Sequence, residues 1–171
     1  MVKACADGNA VAQQKLFDLY SKKMMGVCLR YAEDGMEAQD ILQEGFIKVF
    51  DAIKSFSHSG SLEGWIRRIM VNTALDNIRR NKSRRFAVNI DDVEYTLKEE
   101  AGVVEHYSAQ HLLDMVHQMP DGYRVIFNLY AIEGYSHKEI AKKLDISEST
   151  SKSQYSRARA YLQKALDKEE N

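Results

Sequence analysis

The chain has 171 residues, with 24 Lys and Arg against 25 Asp and Glu, a single Pro, nine Gly and two Cys. An apolar fraction of 44% at a net charge of −1 excludes disorder throughout and suffices for one modest core or two small ones. No window approaches the roughly eighteen consecutive apolar residues of a membrane span, and the N-terminus has no apolar signal core. The expectation is a cytoplasmic protein without direct membrane insertion.

Cys5 and Cys28 stand far apart with no CxxC or His/Cys cluster, so neither a disulfide framework nor a metal site is indicated. His58, His106, His111, His117 and His137 form no metal-spaced set beyond His106 and His111. No nucleophile motif or glycine-rich phosphate loop is present, so no cofactor and no enzymatic activity are expected. One Pro, with Ala, Leu, Lys, Glu and Gln abundant, predicts an all-α protein.

In chain order, residues 9–32 read as one or two helices, with Ala12, Leu16, Leu19, Tyr20, Met24 and Val27 recurring at threes and fours. Asp34-Gly35 breaks that pattern. A helix from about Glu37 to Ile53 follows, burying Leu42, Phe46, Val49, Phe50 and Ile53. Its other side carries Asp40, Gln43, Glu44, Lys48 and Asp51. Residues 55–61 read as a loop by composition. Leu62 to Arg80 reads as a long helix with Leu62, Trp65, Ile66, Ile69, Met70, Ala74 and Ile78 as its apolar set. Arg68, Asn72, Asp76 and Arg79 share one of its faces.

Charge divides the chain. Residues 1–86 carry +4, residues 87–108 carry −5, and residues 109–171 are balanced. Arg79, Arg80, Lys82, Arg84 and Arg85 fall within seven residues. Such a run is either a solvated helix end or a phosphate-binding surface. The acidic stretch 87–108 reads as a linker.

The second block opens with a short helix holding Leu112, Leu113, Val116 and Met119, ended by Pro120-Asp121-Gly122. Tyr123 to Ile132 reads as the next helix. Ser136-His137-Lys138-Glu139 then has the S-x-x-E form of a capping box, and Ile140, Ala141 and Leu144 lie inside the helix it opens. Asp145-Ile146-Ser147 is a tight turn, and Ser147 can cap a helix from Glu148 to about Leu166. Ser151, Tyr155, Ala158 and Leu162 form its inward stripe. Ser149, Lys152, Ser153, Ser156, Arg157 and Arg159 are left for solvent or a partner. A helix-turn-helix whose second helix presents hydroxyls and cations suits the DNA major groove. Asp145 occupies the turn position where Gly is usual, and Asp tolerates the left-handed conformation better than most residues.

Met119-Pro120-Asp121-Gly122-Tyr123-Arg124, Glu133-Gly134-Tyr135-Ser136, Glu139-Ile140-Ala141 and Thr150-Ser151-Lys152-Ser153 through Arg159 resemble region 4 of the bacterial RNA polymerase sigma factors. Asp40-Ile41-Leu42-Gln43-Glu44 through Phe50, with Trp65-Ile66-Arg67-Arg68 and Val71-Asn72-Thr73-Ala74 through Arg80, resembles their region 2. The two sets stand in order over nearly the whole chain, as in the small extracytoplasmic-function type.

The resemblance implies two small helical domains, a region 2 bundle over 1–86 and a region 4 helix-turn-helix over 109–171, joined by the acidic linker 87–108. It implies a factor that binds core RNA polymerase and directs promoter-specific initiation, in response to a stress or envelope signal and under an anti-sigma factor. Asp40, Gln43, Glu44 and Lys48 would dock on a basic coiled coil of the polymerase. Arg68, Asn72, Arg79, Arg80, Lys82, Arg84 and Arg85 would meet promoter DNA at the minus-10 element. Thr150, Lys152, Ser153, Ser156 and Arg157 would do so at the minus-35 element, and the linker would thread the channel later used by RNA. Each expectation has a plain counterpart. A polar helix side is ordinarily just solvated, and Trp65 reads as a core anchor before it reads as a contact for unstacked DNA. From another class, a repressor that dimerises through residues 1–86 would need an apolar symmetric face, which the polar outer side of the 37–53 helix argues against.

Overall fold

The computed structural model describes residues 1–81 and 109–169. The described residues fall into two compact helical units, Met1–Asn81 and a second built from 109–169. Among them no strand occurs, in line with the all-α expectation. The acidic stretch 87–108, Lys82, Arg84 and Arg85 lie outside the described residues.

In the first unit, α1 (Val2–Ala6), α2 (Ala10–Leu29), α3 (Gly35–Ala52) and α4 (Leu62–Arg80) are joined by short turns, with a single 3-10 turn, Ile53–Ser55, after α3. Helix starts are set by side-chain caps. Asn9 accepts from the amide of Ala12 at 3.0 Å, Asp34 from Glu37 at 2.8 Å, and Ser61 from Gly64 at 3.0 Å. Each satisfies an amide that the helix itself cannot. α1 was not expected from the sequence, since five residues are too few to show a period.

α4 packs against both α2 and α3, so its buried arc is wider than one stripe. Val71, Thr73 and Leu75 are buried in addition to Ile66, Met70, Ala74 and Ile78. α2 contributes Leu16, Met24, Val27 and Cys28 to the same core, and α3 contributes Ile41, Leu42, Phe46 and Val49. The Phe17 and Phe46 rings meet at 4.7 Å. Burial pushes the Cys28 thiol up to about 12, so it stays protonated and behaves as a small apolar side chain. Leu19 departs from its expected place and is 58% exposed. The inward stripe of α2 advances by fours from Ala12 through Leu16 and Tyr20 to Met24, and Leu19 stands one step off it.

α3 and α4 cross closely at Gly45. A Cβ on Gly45 would lie 2.3 Å from Sδ of Met70, itself fully buried. We expect Gly45→Ala to destabilise the first unit by about 1–3 kcal/mol in urea unfolding followed by Trp65 fluorescence, because the core is overpacked. In a Met70→Ala background the same change should become neutral or stabilise by up to about 1 kcal/mol, the helix-propensity gain of Ala over Gly.

The second unit holds α5 (Ala109–His117), α6 (Asp121–Phe127), α7 (His137–Leu144) and α8 (Glu148–Glu169). The helix expected over Tyr123–Ile132 starts two residues earlier and widens into a π turn, Asn128–Ile132. Arg124 staples the α5–α6 corner. It is 4% exposed, and donates to the carbonyl of His117 at 2.9 Å and to Asp121 at 2.6 Å. Val116, Met119 and Ala158 form a small core, flanked by Tyr123, Phe127, Tyr161 and Leu162. Gly134, at φ 77°, turns the chain into α7 with a backbone that favours glycine.

Candidate polymerase and nucleic-acid interfaces

Three surfaces carry the residues singled out in the sequence. On the outer side of α3, Asp40 and Gln43 are exposed. Glu44 and Lys48 lie a quarter-turn away, against α4, and are only partly exposed. Glu44 accepts from Arg80 at 2.8 Å and from Lys48 at 2.9 Å, and Lys48 also reaches Asp76 at 3.2 Å. The bonds from Arg80 and then Lys48 hold the Glu44 carboxyl below its ordinary range, so it is ionised at neutral pH. The four α3 residues therefore form two pairs, one free-standing and one committed to the seam with α4. The sequence places all four on one helix side; the tilt of α4 across that side separates them.

On α4, Arg68 and Asn72 are exposed one turn apart, followed by Asp76, Arg79 and Arg80. Asp76 is the partner of Arg79, so the face is not uniformly cationic. Arg68 also borders a cavity of about 340 Å³ lined by Phe56, Ser57, Ser59, Gly60, Ser61, Gly64 and Trp65. Trp65 is half-buried, with its ring 5.5 Å from that of Phe56, which in turn lies 4.6 Å from His58. It is thus both a packing residue for the loop and a wall of the cavity. Sequence reasoning missed this pocket, because residues 55–61 carry no period and declare only a loop; the alternation of Phe with Ser and Gly was the available signal.

The third surface is α8. Its approach is fixed by the helix before it. Ser136 and Glu139 form the expected capping box, with Glu139 accepting from the Ser136 amide at 2.9 Å and hydroxyl at 2.7 Å. These bonds hold the Glu139 carboxyl below its usual range. Asp145 adopts the left-handed conformation at φ 55°, ψ 53°. Ser147 then caps α8, accepting from the Thr150 amide at 2.9 Å. The polar member of the inward stripe, Ser151, is fully buried against Nδ1 of His137 at 3.0 Å. The His137 ring stacks on Tyr130 at 4.3 Å, and Tyr155 leans on Tyr130 at 4.4 Å.

Outward on α8, Thr150, Lys152 and Ser153 are exposed, and Ser156 and Arg157 are half-buried. Several of these are less free than the sequence suggests. The Thr150 hydroxyl lies 2.7 Å from that of Ser147, within the cap. Ser153 donates to the carbonyl of Thr150 at 3.0 Å, so its outward lone pairs accept rather than donate. Lys152 pairs with Glu148 one turn back at 2.8 Å, and this bond holds the Glu148 carboxyl below its usual range.

Loss of the Ser136 cap is expected to cost about 1 kcal/mol locally. Ser136→Ala should speed hydrogen exchange at the first amides of α7, while the Trp65-monitored melt of the first unit stays unchanged.

Comparison with known proteins agrees with this layout. Residues 16–84 match Sigma-70 region 2 and residues 109–162 match Sigma-70 region 4. The chain is 29% identical over 168 residues to the RNA polymerase sigma-H factor of Pseudomonas aeruginosa, covering 90% of this chain and 87% of that protein. It is 28% identical over 176 residues to the ECF RNA polymerase sigma factor SigW of Bacillus subtilis, covering 96% and 94%. Against the ECF RNA polymerase sigma-E factor of Escherichia coli K12 the identity is 29% over 161 residues, covering 85% and 84%. Among solved structures, CnrH in complex with the cytosolic domain of CnrY has the same fold, with a TM-score of 0.50 at 21% identity over 97% of this chain and 94% of that one. The sigma factor RpoE of Bartonella quintana, in complex with the anti-sigma factor NepR, gives 0.51 at 21% identity over 90% and 96%. With region 2 and region 4 in order on one chain, and relatives that match it over most of their length, this protein belongs to the sigma-70 family as an RNA polymerase sigma factor of the extracytoplasmic-function (ECF) type.

Proposed function

We propose that the chain binds core RNA polymerase through α3 and directs it to promoters that α4 and α8 read at the minus-10 and minus-35 elements. The division of labour follows the expected organisation: residues 1–86 for polymerase and the minus-10 element, 87–108 as a connector, and 109–171 for the minus-35 element. The observation that carries this reading is the pairing of two different DNA-suited helix faces with one polar, non-DNA face. α8 offers hydroxyls and cations on a capped recognition helix. α4 offers Asn72 and, one turn before it at the edge of a cavity walled by Phe56 and Trp65, Arg68. Aromatic walls with hydroxyls and an arginine at the rim suit an unstacked base and its phosphate. Arg79 and Arg80, with Lys82, Arg84 and Arg85 following in sequence, supply phosphate attraction rather than base choice. The exposed Asp40 and Gln43 suit a basic protein surface, where charge complementarity would orient the encounter.

Both similar solved structures are complexes, one of them with an anti-sigma factor. An anti-sigma partner is accordingly proposed for this chain, with release by an envelope or stress signal. Among the described residues no helix is long and apolar enough to cross a membrane.

The test is transcription by core polymerase with and without the purified chain. Promoter-specific transcripts should appear only with it; a dimer that binds duplex tightly without polymerase would support the repressor reading instead. Within that assay, Asp40→Ala with Gln43→Ala should weaken core binding while moving stability by no more than about 0.5 kcal/mol. Lys152→Ala should change the preference among minus-35 variants, costing about 1–3 kcal/mol at the base it reads. Arg79→Ala should weaken all promoters alike and flatten the salt dependence by about one unit. Uniform loss in both variants would refute the split between reading and holding.

A further inference from the structure

The α3–α4 seam carries a continuous chain of charged side chains. Arg80 bonds Oε2 of Glu44, Lys48 bonds Oε1 of Glu44 and Oδ2 of Asp76, and Arg79 bonds Oδ1 of Asp76. All five are 37–61% exposed. Exposed pairs of this kind contribute little to stability, and the buried faces of α3 and α4 already fix their crossing. What the chain does fix is the occupancy of two groups with other uses. Glu44 belongs to the α3 surface assigned above to polymerase, and Arg80 to the cationic end of α4 assigned to DNA. Each occupies the other.

We infer that Glu44 is a switchable counter-ion for Arg80, holding it in the free protein and giving it up to DNA phosphate when core polymerase claims the Glu44 carboxylate. The inference rests on the reading of α3 and α4 given above. Each oxygen of Glu44 already accepts from a cation, and a basic surface that draws on the same carboxylate competes with those donors for it. Lys48 has a second acceptor in Asp76 and stays in place; Arg80 has no second carboxylate bonded to it among the described residues. Arg79 is paired with Asp76 rather than with Glu44, so it has no direct part in this exchange. Polymerase binding thus frees one specific cation at the DNA-facing end of α4. Since equilibrium coupling between two sites is reciprocal, DNA that takes Arg80 also frees Glu44 for polymerase.

The full-length chain tests this in both directions. Anisotropy titration of a short fluorescent single-stranded oligonucleotide at low salt should show E44Q binding about fivefold tighter than the parent. D51N, which makes the same change in net charge at an exposed site further along α3, should gain much less, and the gain should vanish in E44Q/R80A. In the opposite direction, R80A should bind core polymerase, without DNA, about fivefold tighter than the parent, and K22A on α2 should not. Equal behaviour of E44Q and D51N, or of R80A and K22A, overturns the coupling. Failure of the α3 reading itself is visible separately, as core binding undiminished in D40A/Q43A.

Discussion

The crossing of α3 over α4 at Gly45 and Met70 is the contact on which the first unit depends. Gly45 leaves room for the buried end of the Met70 side chain, and Glu44, the residue before it, reaches the α4 terminus. A bulkier residue at that point would force the Met70 side chain to shift within a filled core. The close approach is apolar in origin and electrostatic in outcome. It costs α3 a residue of poor helix propensity and places charged groups of separate helices within hydrogen-bonding distance.

Much of the fold is legible in the sequence because its helices begin on side chains that must be polar. Asp34, Ser61, Ser136 and Ser147 each accept from an amide three residues on, and the spacing of Ser136 from Glu139 announces a reciprocal pair. A start defined by local chemistry can be read locally. The buried arc of α4 cannot, because its width follows from having neighbours on two sides, and a one-stripe period omits Val71 and Leu75. Leu19 fails for the opposite reason: a step of three from Leu16 admits it to the stripe on paper, but the inward side advances by fours and leaves it exposed.

The candidate surfaces divide in the same way. Which residues share a helix face follows from the 3.6-residue turn, so the α8 set and the Arg68–Asn72 pair were predictable. Which of them are already engaged does not. That Glu44 and Lys48 belong to α4 as much as to α3 depends on a contact across thirty-odd residues. The Ser153 donor is spent on its own helix by a rotamer, not by a spacing. Residues 55–61 show no pattern beyond loop composition, yet they line the cavity beside Arg68.

The tie between His137 and Ser151 has a mechanical meaning. α8 is a rod of 22 residues held along its inner side at the buried Ser151 and at the core contact of Ala158, with the Tyr155 ring against Tyr130 between them. Seven residues separate Ser151 from Ala158, about 10 Å of helix. With Ser151 engaged, the reading end overhangs its last support by less than one turn. Were the His137 tie released, the free arm from Tyr155 to Thr150 would lengthen to about 8 Å, and a tilt of about 8° would then swing its tip by roughly 1 Å. A displacement of that size separates a formed hydrogen bond from a lost one. The half-buried imidazole therefore helps set the angular tolerance with which the outward residues of this end of α8 are presented.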